Sequence, residues 1–150
     1  MIGLLQRVTH AQVAVDATVI AEIGRGALAF IGVESGDGAR EAERLLERML
    51  GYRIFPDAAG RMNLSLRDTA GGLLLVPQFT LAADTRKGAR PSFSGAAPPE
   101  AGRTLFEHLV AAARACYPQV ACGRFGADMK VTLTNDGPVT FWLRAGPGAS

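Results

Sequence analysis

Two short segments carry residue types whose spacing could do chemistry: Pro77-Gln78-Phe79-Thr80-Leu81 and Asn135-Asp136-Gly137-Pro138-Val139-Thr140. The first follows the most apolar run of the chain, Leu73-Leu74-Leu75-Val76. A chain leaving the end of a buried strand presents main-chain N–H groups that have lost their ladder partners, and such donors can hold a developing oxyanion. Phe79 and Thr80 are the candidates to supply one. The Thr80 hydroxyl is either a substrate hydrogen-bond partner or a nucleophile, and no neighbouring base is visible to activate it. The same five residues also read as a plain strand end. The second segment lies between two strand-like runs, Val131–Thr134 and Val139–Trp142. Proline lacks the N–H that a ladder needs, so a Gly-Pro step there marks a corner. An X-Pro amide is also the common peptide whose cis form costs only about 0.5–1 kcal/mol, and in that form the flanking carbonyls can point the same way as a paired acceptor. An Asp-Gly hairpin turn with a proline just after it is the alternative.

The rest of the inventory is informative for what it lacks. There are two histidines, His10 near the first strand and His108 in a helical stretch, and neither has a motif partner for a nucleophile, a base or a metal. No G-x-S-x-G elbow, H-E-x-x-H pair or P-loop occurs. A histidine triad and a zinc site are therefore not expected. An enzyme with this inventory works through positioned backbone dipoles and the substrate's own functional groups. Cys116 and Cys122 lack C-x-x-C spacing and read as buried small hydrophobes with no disulfide. Net charge is +2, with 14 of the 16 basic residues arginine and a cluster at Arg86-Lys87-Gly88-Ala89-Arg90. That balance suits a localised phosphate contact better than a broad nucleic-acid groove, although a compositional bias toward arginine and a solvated charged loop explain it equally.

Positioning those segments requires a scaffold. A chain of 150 residues, 48% hydrophobic and 20% charged, is one soluble domain spanning residues 1–150, without an apolar stretch near the roughly 18–20 residues that cross a bilayer. Met1-Ile2-Gly3-Leu4-Leu5-Gln6-Arg7 reaches a charge too soon for the apolar core of a secretion signal, so the expected location is cytoplasmic. Leu5, Val8, Ala11, Val13 and Val15, then Thr18-Val19-Ile20, then Ala27–Val33, predict an antiparallel meander of three strands, with turns at Asp16-Ala17 and Gly24-Arg25-Gly26. Ala42, Leu45, Leu46, Met49 and Leu50 recur at helical steps over residues 39–50, and Gly51 closes that helix. Tyr52–Phe55 is a short strand candidate, and residues 56–69 read as a polar loop. Leu73–Val76 is short and uniformly apolar enough to be a central strand buried on both faces. Residues 82–99 form a long polar stretch, of a length more often functional than idle. A second helix is predicted from Pro99 to Cys116, begun by Pro98-Pro99, and two final strands over 129–134 and 139–144 flank the Gly-Pro corner.

Together the two segments resemble the signature motifs of the D-aminoacyl-tRNA deacylases. Gly3–Val8 is similar to that family's N-terminal strand, Asp84–Ser94 to its central loop, and Gly123-Arg124-Phe125-Gly126-Ala127-Asp128-Met129 to the approach to the second motif. The resemblance implies a mixed α/β fold, mostly antiparallel, with a barrel-like sheet packed by two main helices. It implies a homodimeric hydrolase that cleaves the ester between a D-amino acid and the 3′-terminal adenosine of tRNA, without metal or cofactor and away from membranes. It further implies that the Gly137-Pro138 bond is cis and that its carbonyls enter the partner subunit's pocket to hold the substrate amino group. An L side chain would then meet immovable backbone, whereas a merely sized apolar pocket discriminates by only about 1–3 kcal/mol per methylene. Glycine has no side chain to exclude, which makes glycyl-tRNA an expected second substrate.

Carried over by position, Arg7 would hold the Gly-Pro carbonyl orientation. Gln78, Phe79 and Thr80 would line the ester-binding pocket as its catalytic segment, and Phe125 and Met129 would flank the terminal adenine. The ribose 2′-hydroxyl would be the activating group. One departure stands out: the family motif begins with serine, and this chain has Pro77, losing a hydroxyl and a backbone donor. Pro77 is also found in the related animal deacylases, whose motif reads Pro-Gln-Ala-Thr-Leu, but Phe79 and Arg7 match the standard type. A non-catalytic dimer that binds the tRNA 3′ end and has lost turnover through Pro77 is the alternative function.

Overall fold

The computed structural model describes residues 1–146, so the final four positions of the expected 1–150 domain lie outside the described residues. Strand β1 spans Ile2–Val15, β2 Thr18–Ile23 and β3 Gly26–Gly32. Helix α1 covers Ala39–Gly51, a small hairpin follows from β4 (Phe55–Pro56) and β5 (Met62–Leu64), and α2 is a single turn at Leu66–Thr69. Strand β6 runs Gly72–Pro77 into a 3₁₀ turn at Phe79–Ala82, and α3 spans Pro99–Cys116. Short β7 (Val120–Cys122) and long β8 (Lys130–Arg144) complete the chain.

The main sheet has the order β2-β1-β3-β6-β7, with β8 on the other edge of β1. Its two halves differ in sense: β1 pairs antiparallel with β2, β3 and β8, whereas β3–β6 and β6–β7 are parallel. The expected three-strand meander is corrected here, because β3 returns beside β1 and not beside β2. Strand β1 is long enough to offer Ile2–Val8 to β3 and Ala11–Val15 to β2 along one edge. The Asp16-Ala17 turn between β1 and β2 has φ of 48° and 62°, the tight turn matching the strand twist, made here without glycine.

Alternation in the central strands sorts side chains to two cores. Leu5, Ala27, Ala29, Ile31, Leu73 and Leu75 join the helices in one buried cluster. Val8, Leu28, Leu74 and Val76 point the other way, into a second cluster closed by Ala11, Val13, Ala21, Ile23 and the partly buried Met129, Val131 and Leu133. Strand β6 is thus buried on both faces, as its uniform apolar sequence requires. The sheet curls over the second cluster like a barrel, and α1 and α3 cover the first. Helix α1 buries Ala42, Leu45, Leu46, Met49 and Leu50, and each of the larger ones contributes about 1.5–3 kcal/mol. Its first turn is held by Glu41, whose Oε2 accepts from the Gly38 N–H at 2.9 Å. At the seam of β3 and β6, Gly26 pairs with Gly72. A Cβ at Gly26 would stand 2.0 Å from the Gly72 carbonyl oxygen, which leaves room for hydrogen alone.

Several short pieces depart from expectation. The strand expected over Tyr52–Phe55 is corrected to Phe55–Pro56 (β4), residues 57–69 carry β5 and α2 where a polar loop is predicted, and β7 is not predicted at all. The α2 turn is made by a reciprocal cap, with Asp68 N–H donating to Ser65 Oγ at 3.3 Å and Ser65 N–H to Asp68 Oδ2 at 2.8 Å. The Ser65 backbone N–H first, and then the Ser65 hydroxyl, which donates to the same Asp68 Oδ2 at 2.9 Å, hold the Asp68 carboxyl below its ordinary pKa. Cys116 is exposed at the end of α3, not buried; Cys122 is half-buried, and both are free thiols. The helix ends against Tyr117, whose hydroxyl donates to the carbonyls of Leu66 and Gly71 and whose pKa is raised by burial. No helix among the described residues is long and apolar enough to cross a membrane.

Candidate active site

The segment after β6 behaves as its position demands. Gln78 N–H still reaches the Ile31 carbonyl at 2.7 Å, the last ladder bond before the chain turns into the 3₁₀ segment. The turn is closed at its two ends by Leu81 N–H on Gln78 O at 3.2 Å and Ala83 N–H on Thr80 O at 3.1 Å. The amides of Phe79 and Thr80 therefore have no backbone partner among the described residues, as expected for the opening of a helical turn. The Thr80 hydroxyl accepts from Gln78 Nε2 at 2.5 Å.

Pro77, Gln78 and Phe79 form one wall of a cleft of about 470 Å³ that Phe125, Met129 and mostly apolar neighbours also line; Thr80, expected on the lining, lies just outside it. The opposite wall is the loop after β7. Phe125 is set against α3, its ring 6.4 Å from that of Phe106, with Arg103 stacked 5.1 Å above it. Gly102 makes this seat, since a Cβ there would lie 3.4 Å from Phe125 Cζ. Met129 and Pro77 pack over Gly123, where a Cβ would stand 2.8 Å from the Met129 sulfur and 3.4 Å from Pro77 Cδ. The cleft thus offers an aromatic ring and a thioether on its lining, groups that pack well against a planar heterocycle. Phe79 is 59% exposed at the rim and tilts against Phe93, ring centres 5.2 Å apart. The acid on the lining is Asp128, whose two oxygens are each 3.1 Å from Lys130 Nζ.

Gly137 and Pro138 do not line this cleft. The expected corner between two strands is corrected: β8 continues in one direction through the motif and pairs with β1 on both sides. Asn135 is opposite Val8 and Thr140 opposite Gln6, so Asp136, Gly137, Pro138 and Val139 bulge out facing Arg7 alone. A bulge accommodates the proline because those residues need no ladder donors. The Gly137–Pro138 peptide is cis. The Asn135 side chain ties the bulge at its base, Nδ2 donating to Arg7 O and Val139 O, both at 2.9 Å. Arg7 braces it from inside: Nε donates to Asp136 O at 3.1 Å and Nη1 to Ile54 O at 2.7 Å. The carbonyl that Arg7 grips is that of Asp136, the residue ahead of the Gly-Pro pair.

The two groups lie at opposite ends of β3. Arg7 is level with Ala27, and Pro77 is level with Ile31, a separation of roughly 13 Å along the strand at the usual rise. One chain does not bring Gly137, Pro138 and Arg7 together with Pro77, Gln78, Phe79, Thr80, Phe125 and Met129. His10 and His108 stand apart from both, in exposed pairs with Glu22 and Glu43 at 3.5 and 3.1 Å. Among the described residues no three His, Cys, Asp or Glu side chains group as a metal site. Sequence reasoning named the α3 face but missed Gly102 and Arg103 as the seat of Phe125; their helical spacing to Phe106 was the available signal.

Residues 4–144 match the family described as D-Tyr-tRNA(Tyr) deacylase. The chain belongs to that deacylase family. Its similarity to curated members runs end to end: 63% identity over 150 residues to the D-aminoacyl-tRNA deacylase of Alkalilimnicola ehrlichii, covering all of both chains. Identity to the protein of the same name from Thioalkalivibrio sulfidiphilus is 64% over 147 residues, covering 98% of this chain and 99% of that one. Among solved structures, one described as c-Myc DNA Unwinding Element Binding Protein superposes with a TM-score of 0.94 at 35% identity, covering 98% of this chain and 100% of that chain. A probable eukaryotic D-amino acid tRNA deacylase gives 0.80 at 16% identity, covering 95% and 97%, a likeness that speaks for the fold. The expected mixed α/β, barrel-like deacylase fold is the one observed. This deacylase is an enzyme, and the reading of a non-catalytic binding dimer falls away.

Proposed function

We infer that this deacylase hydrolyses the ester between a D-amino acid and the 3′-terminal adenosine of tRNA in the cytoplasm, as a homodimer whose site is completed across subunits. The observation that carries the reading is the division of labour in one chain: a cleft with free amides beside it at one end of β3, and at the other a Gly137-Pro138 bulge braced by Arg7 and Asn135. The adenine slot lies against Phe125 and Met129, and the amides of Phe79 and Thr80 face the ester carbonyl, where they stabilise the oxyanion. The carbonyls of Gly137 and Pro138 from a second copy accept the substrate's amino N–H groups. With the amino group and the ester both pinned, the side chain of an L-amino acid is driven into main chain, while that of a D-amino acid leaves toward solvent. Glycyl-tRNA passes the same filter.

Because the one carboxylate among the described residues on the cleft lining, Asp128, is paired with Lys130, the vicinal 2′-hydroxyl of the ribose serves as proton carrier. A water oxygen bonds to the ester carbon, the proton it sheds passes by way of the 2′-hydroxyl to the 3′-oxygen, and the C–O3′ bond breaks. Free D-amino acid and tRNA with its 3′-hydroxyl restored are the products. Pro77 is compatible with this route, since neither a serine hydroxyl nor an N–H at that position is used.

The direct test offers purified protein D-Tyr-tRNA and L-Tyr-tRNA in parallel. The expected result is rapid release of D-tyrosine with the L-ester untouched; equal cleavage of both, or of neither, sinks the reading. Thr80→Ala separates ribose assistance from a threonine nucleophile. Losing one neutral hydrogen bond costs about 1 kcal/mol, so turnover is expected to fall less than about tenfold. Complete loss of turnover with tRNA binding intact would restore the nucleophile.

A further inference from the structure

The far side of Phe125 opens a second groove, of about 630 Å³, between α3 and strands β2 and β7. It shares Phe106 and Phe125 with the cleft, so one aromatic wall divides the two spaces. Their electrostatics differ. Among the described residues the cleft lining contains no lysine or arginine, whereas Arg103, Arg114 and Arg124 all line the groove against a single acid, Glu107. None of these three arginines pairs with a carboxylate among the described residues. Arg114 Nη2 donates to the Cys122 sulfur at 3.6 Å, and Arg103 lies over the Phe125 ring. In a protein with net charge +2, that is a marked local concentration of unneutralised cation. The exposed 86–90 loop is a poorer anchor: Arg86 donates to both oxygens of Asp84 at 2.9 and 2.7 Å, and that pairing holds the Asp84 carboxyl down at about 2.

We propose that this groove binds the nucleotides immediately 5′ of the terminal adenosine, with the guanidinium groups on their phosphates and Phe125 separating them from the adenine slot. The inference rests on the deacylase reading above. The 3′ end of tRNA is single-stranded, and its anionic backbone must leave the adenine slot in some direction. The cation-free cleft offers no counter-charge, while the space across Phe125 offers three planar, forked donors whose geometry matches phosphate oxygens. A basic groove combined with an aromatic face is the general solution for holding single-stranded nucleic acid without reading its sequence.

The test compares two substrates that differ only in whether they reach the groove: D-tyrosyl-tRNA, and the D-tyrosyl ester of adenosine. In the double variant Arg114→Gln/Arg124→Gln, kcat/KM on D-tyrosyl-tRNA is expected to fall by tenfold or more through KM, with the adenosine ester cleaved within twofold of the wild-type rate. The dependence of log kcat/KM on log salt should flatten by about 0.7 for each phosphate that the variant no longer neutralises. The charge-preserving variant Arg114→Lys/Arg124→Lys should recover most of the salt dependence, a readout that a merely structural role would not give. Unchanged kinetics on the tRNA, or equal losses on both substrates, overturns the groove. A wild-type protein inert on both substrates overturns the deacylase reading, and the groove with it, so the two failures are told apart.

Discussion

Gly137→Ala should lower the rate of D-aminoacyl-tRNA cleavage by about 100-fold or more, the size of effect that follows loss of a preorganised polar group at a reacting centre. The physical reason is local and geometric. Gly137 has φ of +133°, a region that side-chain-bearing residues rarely occupy. A Cβ added there would stand 2.7 Å from Val139 Cγ2, 3.1 Å from Val139 N and 3.2 Å from Arg7 Nη2. Val139 is buried and its main chain is fixed through Asn135, so neither neighbour can retreat cheaply. The bulge must change shape, and both carbonyls change direction with it. The paired strands on either side do not depend on those residues for ladder bonds. The protein should therefore still fold, at a cost of about 1–3 kcal/mol for a residue forced into a strained backbone. Single-turnover cleavage of D-Tyr-tRNA, alongside a thermal melt, reads both quantities. Wild-type rate and wild-type rejection of the L-ester in this variant would remove the bulge from the mechanism.

Arg7→Ala is the second large effect, and it acts through the bulge from below. The Arg7 side chain is 13% exposed and bonds two carbonyls from parts of the chain far apart in sequence, Ile54 and Asp136, with its Nε 3.4 Å from an Asp136 carboxylate oxygen. Truncation leaves the Ile54 carbonyl without that donor beside a buried side chain, and frees the Asp136 peptide to rotate. Losing charge-assisted bonds in partly buried surroundings costs about 2 kcal/mol, which for a domain of this size lowers the melting temperature by about 4–8 °C. Cleavage should fall by about 100-fold because the carbonyl pair is no longer preoriented. Arg7→Lys should not restore it: the two bonds leave from different nitrogens of one rigid plane, and a lysine ammonium is a single point. Full activity in the lysine variant would show that Arg7 supplies charge alone. A drop in melting temperature without loss of activity would show that it supplies only stability.

Much of the scaffold was legible in the order of residues because the responsible forces are local. The 39–50 period and the Pro98-Pro99 start predicted α1 and α3 almost to their observed ends, since an amphipathic stripe and a proline-started first turn are properties of a few adjacent side chains. The uniform Leu73–Val76 run announced a strand covered on both sides, and the unpaired amides after it followed from the ending of its ladder. The elements that escaped, β5, β7 and α2, are three or four residues long. Stretches that short contain no full period, and they exist only because distant chain provides partners, as β6 does for β7.

Sequence alone also supplied both motifs, the absence of conventional catalytic side chains, and the family resemblance, all of which are carried by residue identity. It could not say that β8 passes straight through the Gly-Pro step, that Arg7 grips the Asp136 carbonyl, or that Cys116 faces solvent. Each of those depends on which strand lies alongside and on what packs over it. The sorting of Val8 and Leu5 to different cores and the three arginines gathered on the far face of Phe125 are likewise decisions of the folded chain. Contacts between residues distant in sequence form only when the whole sheet closes, so their geometry is set collectively by tertiary packing and leaves no mark on any single stretch of residues.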